Sequence, residues 1–263
     1  MKKTVGVVGY GYVGKAMVRF LEGHYDVLVY DPQSEEIRGA ATFVEREQIN
    51  ECDVAFVCVP TPSTASGECD TSIVEEVVGW LETPLILIKS TVSIGTTERL
   101  RRETGKRIVF SPEYCGESSY WTPYDFHTEV KSTPFFIFGG EPKDTSELVD
   151  LYMPITGPTK TYRQTTSRSA ESAKYMANVF FATKILFCYE MSELLQAMGV
   201  DYNEVRDLWM LDPRLNSMHT SVFSTNEVPF SGKCFPKDTK ALVKDAERSG
   251  YEAKFLKEVL VSN

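Results

Sequence analysis

The chain has 263 residues, 42% of them hydrophobic and 25% charged. That is enough for one large α/β domain, or two smaller ones, around a sizeable apolar core. The formal net charge of −9 argues against a nucleic-acid binder, which needs a basic face, but leaves open a small phosphorylated ligand held at a helix N-terminus.

The opening "MKKTVGVVGYGYVG" resembles a signal peptide only briefly, because its apolar stretch is short and glycine-rich and no small-residue cleavage site follows. No run approaches transmembrane length, since "NVFFATKILFCYEM" is interrupted by Lys184. The expectation is a cytoplasmic protein with neither membrane nor nucleic acid as partner. "TVGVVG" reads as a buried parallel strand. Val13, Met17, Phe20 and Leu21 then recur at helical spacing. "DVLVYD", "DVAFVCVP", "LILIKS", "RIVFSP" and "FFIFGG" are five further strands. "TSIVEEVVGWLE", "GTTERLRRE" and "DTSELVDLYM" are helices between them, and Tyr120–Pro134 is a long irregular insertion of the kind that is often functional. This alternation predicts a Rossmann-like, doubly wound, mostly parallel sheet over residues 1–165.

From residue 166 the pattern turns all-helical. Residues 167–199 read as one long helix, apolar on much of its circumference and so expected to be buried. "DYNEVRDLWML", "PKDTKALVKDAERSG" and "EAKFLKEVLVS" follow as helices, the first with Asp201 as N-cap. Residues 166–263 are thus expected to form a helical domain.

Gly9, Gly11 and Gly14, with Tyr12 and Val13 between them, follow the first strand and open the first helix. This is G-x-G-x-x-G in its dinucleotide-binding context: a tight turn, room for a pyrophosphate, and close packing of helix on strand. Asp31 ends the second strand, where a carboxylate bonds a ribose 2′-hydroxyl and repels a 2′-phosphate. NAD is therefore expected over NADP. The alternative is a plain glycine turn, with Asp31 starting a turn before Pro32. Thr61, Ser90, Thr91, Glu113 and Glu117 lie just after the third, fourth and fifth strands, the edge where open parallel sheets bind ligands. As an alternative they serve only as turns and caps.

On the long helix Lys174 and Asn178 lie four apart and share a face. They could stabilise an oxyanion, or form a solvated stripe in which Glu171 pairs with Lys174. The six cysteines, Cys52, Cys58, Cys69, Cys115, Cys188 and Cys234, form no C-x-x-C pair and follow no metal-ligand spacing, so no metal is expected. Cys234 precedes a helix with Pro236 in its first turn and lies between Lys233 and Lys237. Those are features of an activated nucleophile more than of a core thiol. Asp238 opposes that charge but can orient a water or hydroxyl.

In order, "GYGYVG", "VPTPSTASGECDTSIVE", "KSTVSIGTT", "SPEYCGES", "AKYMANVFFATKILFCYEMSEL" and "FSGKCFPKDTKAL" resemble the UDP-glucose/GDP-mannose dehydrogenase family over essentially the whole chain. The resemblance implies an NAD-dependent, four-electron oxidation of the C6 alcohol of a UDP- or GDP-hexose, first to an aldehyde and then to a carboxylate. Cys234 corresponds to the family's nucleophile, which forms a thiohemiacetal and then a thioester. Lys174 and Asn178 match the oxyanion-stabilising pair. Thr91, Glu117 and Asp238 match residues that hold or activate water. Glu113, Tyr114, Phe230 and Gly232 match substrate-contacting positions, and the long helix matches a homodimer interface. The sequence departs from the family at Cys115-Gly116, where leucine and arginine are usual, and at Pro229 and Ser231, where glycines are usual. The family's further C-terminal nucleotide-binding domain is expected to be absent, with a partner chain as one way to supply it. Two other readings stand beside the dehydrogenase: a non-catalytic NAD-binding remnant, and a two-electron enzyme akin to 3-hydroxyacid dehydrogenases, which leaves Cys234 unexplained.

Overall fold

The structure is a computed structural model and describes residues 2–32, 41–115, 129–223, 228–232 and 234–263. Two compact units are present: 1–62 with 69–174, and 63–68 with 175–263.

The first unit holds an eight-stranded sheet in the order β3-β2-β1-β4-β5-β6-β7-β8. The strands are β1 Thr4–Val8, β2 Asp26–Tyr30, β3 Thr42–Phe43, β4 Val54–Val57, β5 Ile86–Ile88, β6 Ile108–Phe110, β7 Phe135–Gly139 and β8 Thr161–Thr165. Every pairing is parallel except β6 with β7, which meet antiparallel at Phe110 and Gly139. The six expected strands are all present. β3 and β8 are additional; β8 reads "TYRQT", a polar stretch with no alternation to betray it.

Helices cover both faces, as expected of a doubly wound sheet. Because side chains alternate along a strand, Val5, Val7, Phe56, Leu87 and Val109 point to one face. There they pack against α1 (Tyr12–Leu21) and α5 (Pro142–Thr156). Val8, Val57, Ile86, Ile88 and Phe110 belong to the other core, with the short α2 (Arg46–Ile49), α3 (Ser72–Trp80), α4 (Thr96–Thr104) and Ala170. Tyr152 of α5 is fully buried among the rings of Phe20, Phe56, Phe136 and Phe138.

The long helix α6 runs over Ser167–Ala197. The expected boundary at 165 coincides with the end of β8, whereas the compact units divide inside α6, after Lys174. In the first unit Glu171 is fully buried, and its two carboxylate oxygens accept the N–H groups of Gly95 (2.5 Å) and Thr97 (3.0 Å). Glu171 therefore caps the N-terminus of α4, a place where the unpaired N–H groups and the helix dipole favour a carboxylate.

The second unit contains the rest of α6, α7 (Tyr202–Trp209), α8 (Phe235–Arg248) and α9 (Lys254–Val261). Asp201 caps α7 by accepting the Asn203 N–H. The expectation that α6 is buried all round is corrected. Met176, Phe180, Phe187 and Leu194 are exposed, Met176 by 75% and Phe180 by 62%. Their spacing of four, seven and seven residues places them in one stripe. Among the described residues, no helix is long and apolar enough to cross a membrane, and no group of three or more His, Cys, Asp or Glu is placed to hold a metal ion.

Glu171→Ala leaves two buried N–H groups without an acceptor and should lower unfolding stability by about 2–3 kcal/mol. Glu171→Gln keeps one acceptor and should cost about 1 kcal/mol. Urea denaturation of the variants measures both.

Candidate active site

In the first unit the glycine loop has the form its sequence requires. Gly9 adopts φ +92°, a conformation unfavourable to other residues, and a Cβ there would lie 2.7 Å from the Cys58 carbonyl oxygen. A Cβ on Gly14 would lie 1.9 Å from the Gly9 oxygen, so only glycine lets α1 sit this close to the end of β1. At Gly11 a Cβ would meet nothing within 4 Å, which leaves the main chain open to a close approach. Gly11 is the N-cap of α1 and has no side chain of its own to cap the helix. An open main chain and a helix N-terminus make a cradle for a pyrophosphate, so these residues fit a dinucleotide. Asp31 stands beside the loop, its Oδ2 accepting the Tyr10 N–H at 2.6 Å. The Val13 side chain packs on the core, so its main chain is what it offers a cofactor.

The ends of β4 and β5 are laced together by hydroxyls. Thr61 Oγ1 donates to the Thr91 carbonyl (2.7 Å), and Ser90 Oγ donates to the Val59 carbonyl (2.6 Å). Thr61, Ser90 and Thr91 are thus brought to one place on the sheet edge. Glu113, after β6, is 8% exposed. Its Oε2 lies 3.2 Å from Lys89 Nζ, and its Oε1 accepts the N–H groups of Tyr114 (2.8 Å) and Cys115 (2.9 Å). Burial opposes ionisation of this carboxyl. The Lys89 charge and the two N–H groups outweigh burial and hold its pKa below the ordinary value. The Glu113 carboxylate is turned inward and held by these partners. Its main-chain oxygen instead accepts from Lys174 Nζ at 2.6 Å, and the Tyr114 ring lies 5.3 Å from the same ammonium. Burial, with the nearby Glu113 charge, pushes the Tyr114 hydroxyl up to about 12.

Lys89 is a site residue that sequence reasoning missed. Its one signal is a lysine closing the wholly apolar run "LILI". The solvated-stripe alternative for α6 is also set aside, since Glu171 caps α4, Lys174 is half-buried against Glu113, and Asn178 is 7% exposed.

In the second unit Cys234 is the N-cap residue of α8, with Pro236 in the first turn. It is exposed, whereas Cys52, Cys58, Cys69 and Cys188 are buried and Cys115 is half-buried. Asp238, in the first turn of α8, is 1% exposed. Its Oδ2 accepts from Asn178 Nδ2 at 2.6 Å, and its Oδ1 lies 2.7 Å from Lys237 Nζ. Asn178 and Asp238 are therefore brought together, and Lys237 is committed to Asp238. Gly232 is exposed with φ +83°, a further position that favours glycine. Phe230 is corrected: its side chain is 3% exposed and packs with Ala182, Val259 and Phe235, and its N–H is given to Asn263. It is a core residue of this unit. Glu117, Lys233 and residues 120–128 of the long insertion lie outside the described residues.

Residues 38–155 match the NAD binding domain, and residues 168–263 the central domain, of the UDP-glucose/GDP-mannose dehydrogenase family. The chain belongs to that family. A UDP-glucose 6-dehydrogenase of Bacillus subtilis is 28% identical over 99% of this chain and 63% of its own length. A GDP-mannose 6-dehydrogenase of Pseudomonas aeruginosa is 29% identical over 88% of this chain and 55% of its own. Among solved structures, a UDP-glucose dehydrogenase from the hyperthermophilic archaeon Pyrobaculum islandicum matches with a TM-score of 0.85 at 26% identity. It covers all of this chain, and the match spans 68% of that one. The chain thus spans about half to two thirds of the length of the curated relatives it matches. The family's cofactor is the NAD anticipated from the glycine loop.

Asp31→Asn keeps the acceptor for Tyr10 N–H and removes the charge. Calorimetric titration should find NAD bound much more tightly than NADP by the wild type. That preference should narrow by about tenfold, some 1.4 kcal/mol, in the variant. Equal binding of the two cofactors by the wild type would remove the role given to Asp31.

Proposed function

We propose that this chain is a nucleotide-sugar 6-dehydrogenase that oxidises the C6 alcohol of a UDP- or GDP-hexose to the carboxylate. The single observation that carries the thiol's part in this reading is the placement of Cys234. Among six cysteines it is the one that is exposed, and it stands at the N-terminus of a helix, where the dipole favours a thiolate. The names of the relatives support the substrate class, since they are UDP-glucose and GDP-mannose dehydrogenases.

NAD, when bound, supplies the acceptor for two successive hydride transfers, one cofactor molecule for each. The glycine loop and Asp31 bind and orient it. Lys174 and Asn178 stabilise the oxygen charge that develops as the alcohol and its adducts react. The Cys234 sulfur adds to the aldehyde carbon and forms a thiohemiacetal. After the second oxidation the same carbon is a thioester. Water then cleaves the C–S bond, which releases the carboxylate and restores the thiol; Asp238, Thr91 and Glu117 are the residues that the family resemblance matches to that role. Asp238 is prepared for that work by Asn178 and Lys237, which fix both of its oxygens.

The second part of the reading is a homodimer. The stripe Met176, Phe180, Phe187 and Leu194 is a contiguous apolar face of α6, and such faces on a soluble chain are interaction surfaces. A second copy presenting the same stripe would cover it with self-complementary packing.

Cys234→Ser should lose carboxylate formation by orders of magnitude while NAD affinity is retained, because a hydroxyl is the weaker nucleophile and the oxygen ester forms less readily. Unchanged acid production by Cys234→Ser or Cys234→Ala would remove the thioester route. Light scattering should give a dimer for the wild type and a monomer for Phe180→Lys; a monomeric wild type at micromolar concentration would count against the stripe as an interface.

A further inference from the structure

Lys89 follows the apolar strand β5 directly, yet its side chain is only 2% exposed. Its Nζ lies 3.3 Å from Ser111 Oγ, 3.3 Å from the Pro112 carbonyl oxygen and 3.2 Å from Glu113 Oε2. An ammonium has three N–H bonds, and these three neighbours supply an acceptor for each. They are consecutive residues, so a single buried side chain sets the course of the main chain after β6. That course is held again at Glu113 Oε1, which receives the N–H groups of Tyr114 and Cys115. The segment so fixed presents two things to Lys174: the Glu113 carbonyl oxygen and the Tyr114 ring.

We propose that Lys89 is a positioning residue that fixes Lys174 through the Ser111–Cys115 main chain. This rests on the reading in which Lys174 serves the oxidation. Lys89 touches neither substrate nor cofactor in this account. Its work is to keep a buried carboxylate ionised and the segment around it in one conformation. Removing one member of such a pair leaves the other charge buried without compensation, whereas replacing both is well tolerated.

The consequence is a pH dependence of known sign. The titratable groups facing Glu113 are Lys89, Lys174 of α6, Cys58 after β4, Tyr152 of α5, and Tyr114 and Cys115 of its own segment. Burial pushes Cys58 up to about 12, and it raises Tyr152 and Cys115 as well. Between acid and neutral pH, Glu113 is therefore the group of this set that changes charge. In the wild type its pKa is depressed, so its contribution to stability is present above the ordinary carboxylate pKa and is lost as pH falls through the folded value. Without Lys89, burial raises that pKa instead. A neutral carboxyl leaves no buried charge unpaired in the segment. Order in the segment would then be present on the acid side and lost as pH rises, the reverse of the wild type.

The test compares the wild type, Lys89→Met and the double variant Lys89→Met with Glu113→Gln. The first readout is the rate at which a water-soluble acylating reagent modifies Lys174, followed by peptide mass spectrometry, with the exposed Lys254 as internal reference. At mildly alkaline pH, Lys174 should react several times faster in Lys89→Met, with Lys254 unchanged. The rate should return close to that of the wild type in the double variant, where no buried charge is left unpaired. The second readout is turnover. In Lys89→Met, kcat should fall about a hundredfold with little change in KM for NAD, and should recover as pH is lowered; the double variant should show no such recovery. If Lys89→Met does not fold, Lys89→Gln is measured in the same way. A Lys174 rate in the single variant equal to that of the wild type overturns the proposal. A wild type without turnover on any UDP- or GDP-hexose would overturn the dehydrogenase reading and leave the labelling comparison to decide the role of Lys89.

Discussion

Parallel strands that all end at one sheet edge bring their polar termini into a place where water is largely excluded. Every hydroxyl, ammonium and carboxylate there needs a partner, since an unpaired polar group in such a position is costly. The structure meets this demand strand by strand. Asp31 after β2 takes the Tyr10 N–H, Thr61 after β4 gives to Thr91, Ser90 after β5 gives to Val59, and Lys89 pairs with Glu113 after β6. The edge becomes a set of interlocked turns rather than independent loops. That rigidity is what a dinucleotide site needs, because a cradle of main-chain N–H groups works only when already in place. It also explains why these residues, read singly, look equally like caps and like ligands: a residue that holds a turn at this edge also stands where a ligand would come.

The second unit solves a related problem with a different polar cluster. Asp238 is almost wholly buried in the first turn of α8, where the helix dipole favours its charge, and Asn178 and Lys237 occupy its two oxygens. The Asn178 hydrogen bond ties the first turn of α8 to α6. Its consequence is a fixed start for α8, and hence a fixed position for Cys234 at the N-cap. The thiol remains exposed on a rigid mount. Glu171, Lys174 and Asn178 recur along α6, so one helix carries a structural cap, a held ammonium and a held amide within two turns.

What the sequence revealed, and what it hid, follows the range of the interactions involved. The glycine loop was legible because its requirements are local: a positive φ at Gly9 and a close approach at Gly14 depend on residues a few positions away. The apolar strands and the long helices were legible from period and run length. The edge strand β8 was not, because a polar strand at the rim has no buried face to leave a pattern. Phe230 was expected at the substrate from the family resemblance alone, but its packing partners include residues of α6 and α9, remote in sequence. Lys89 escaped notice for the same reason: a buried lysine is defined by the carboxylate that answers it, and Glu113 follows a different strand, β6. For α6, composition gave the amount of apolar surface, and only the folded chain shows that a stripe of it faces outward.

The account stands or falls on the number of electrons taken from each sugar. An exposed thiol at a helix N-cap is of use to the proposed reaction only if the aldehyde is captured and oxidised again. The most direct measurement is the yield of NADH for each molecule of UDP- or GDP-hexose consumed, read by absorbance against the amount of uronate formed. The account predicts two NADH and one uronate for each sugar. One NADH with an aldehyde or ketone as product, or NAD binding without any NADH, would contradict it.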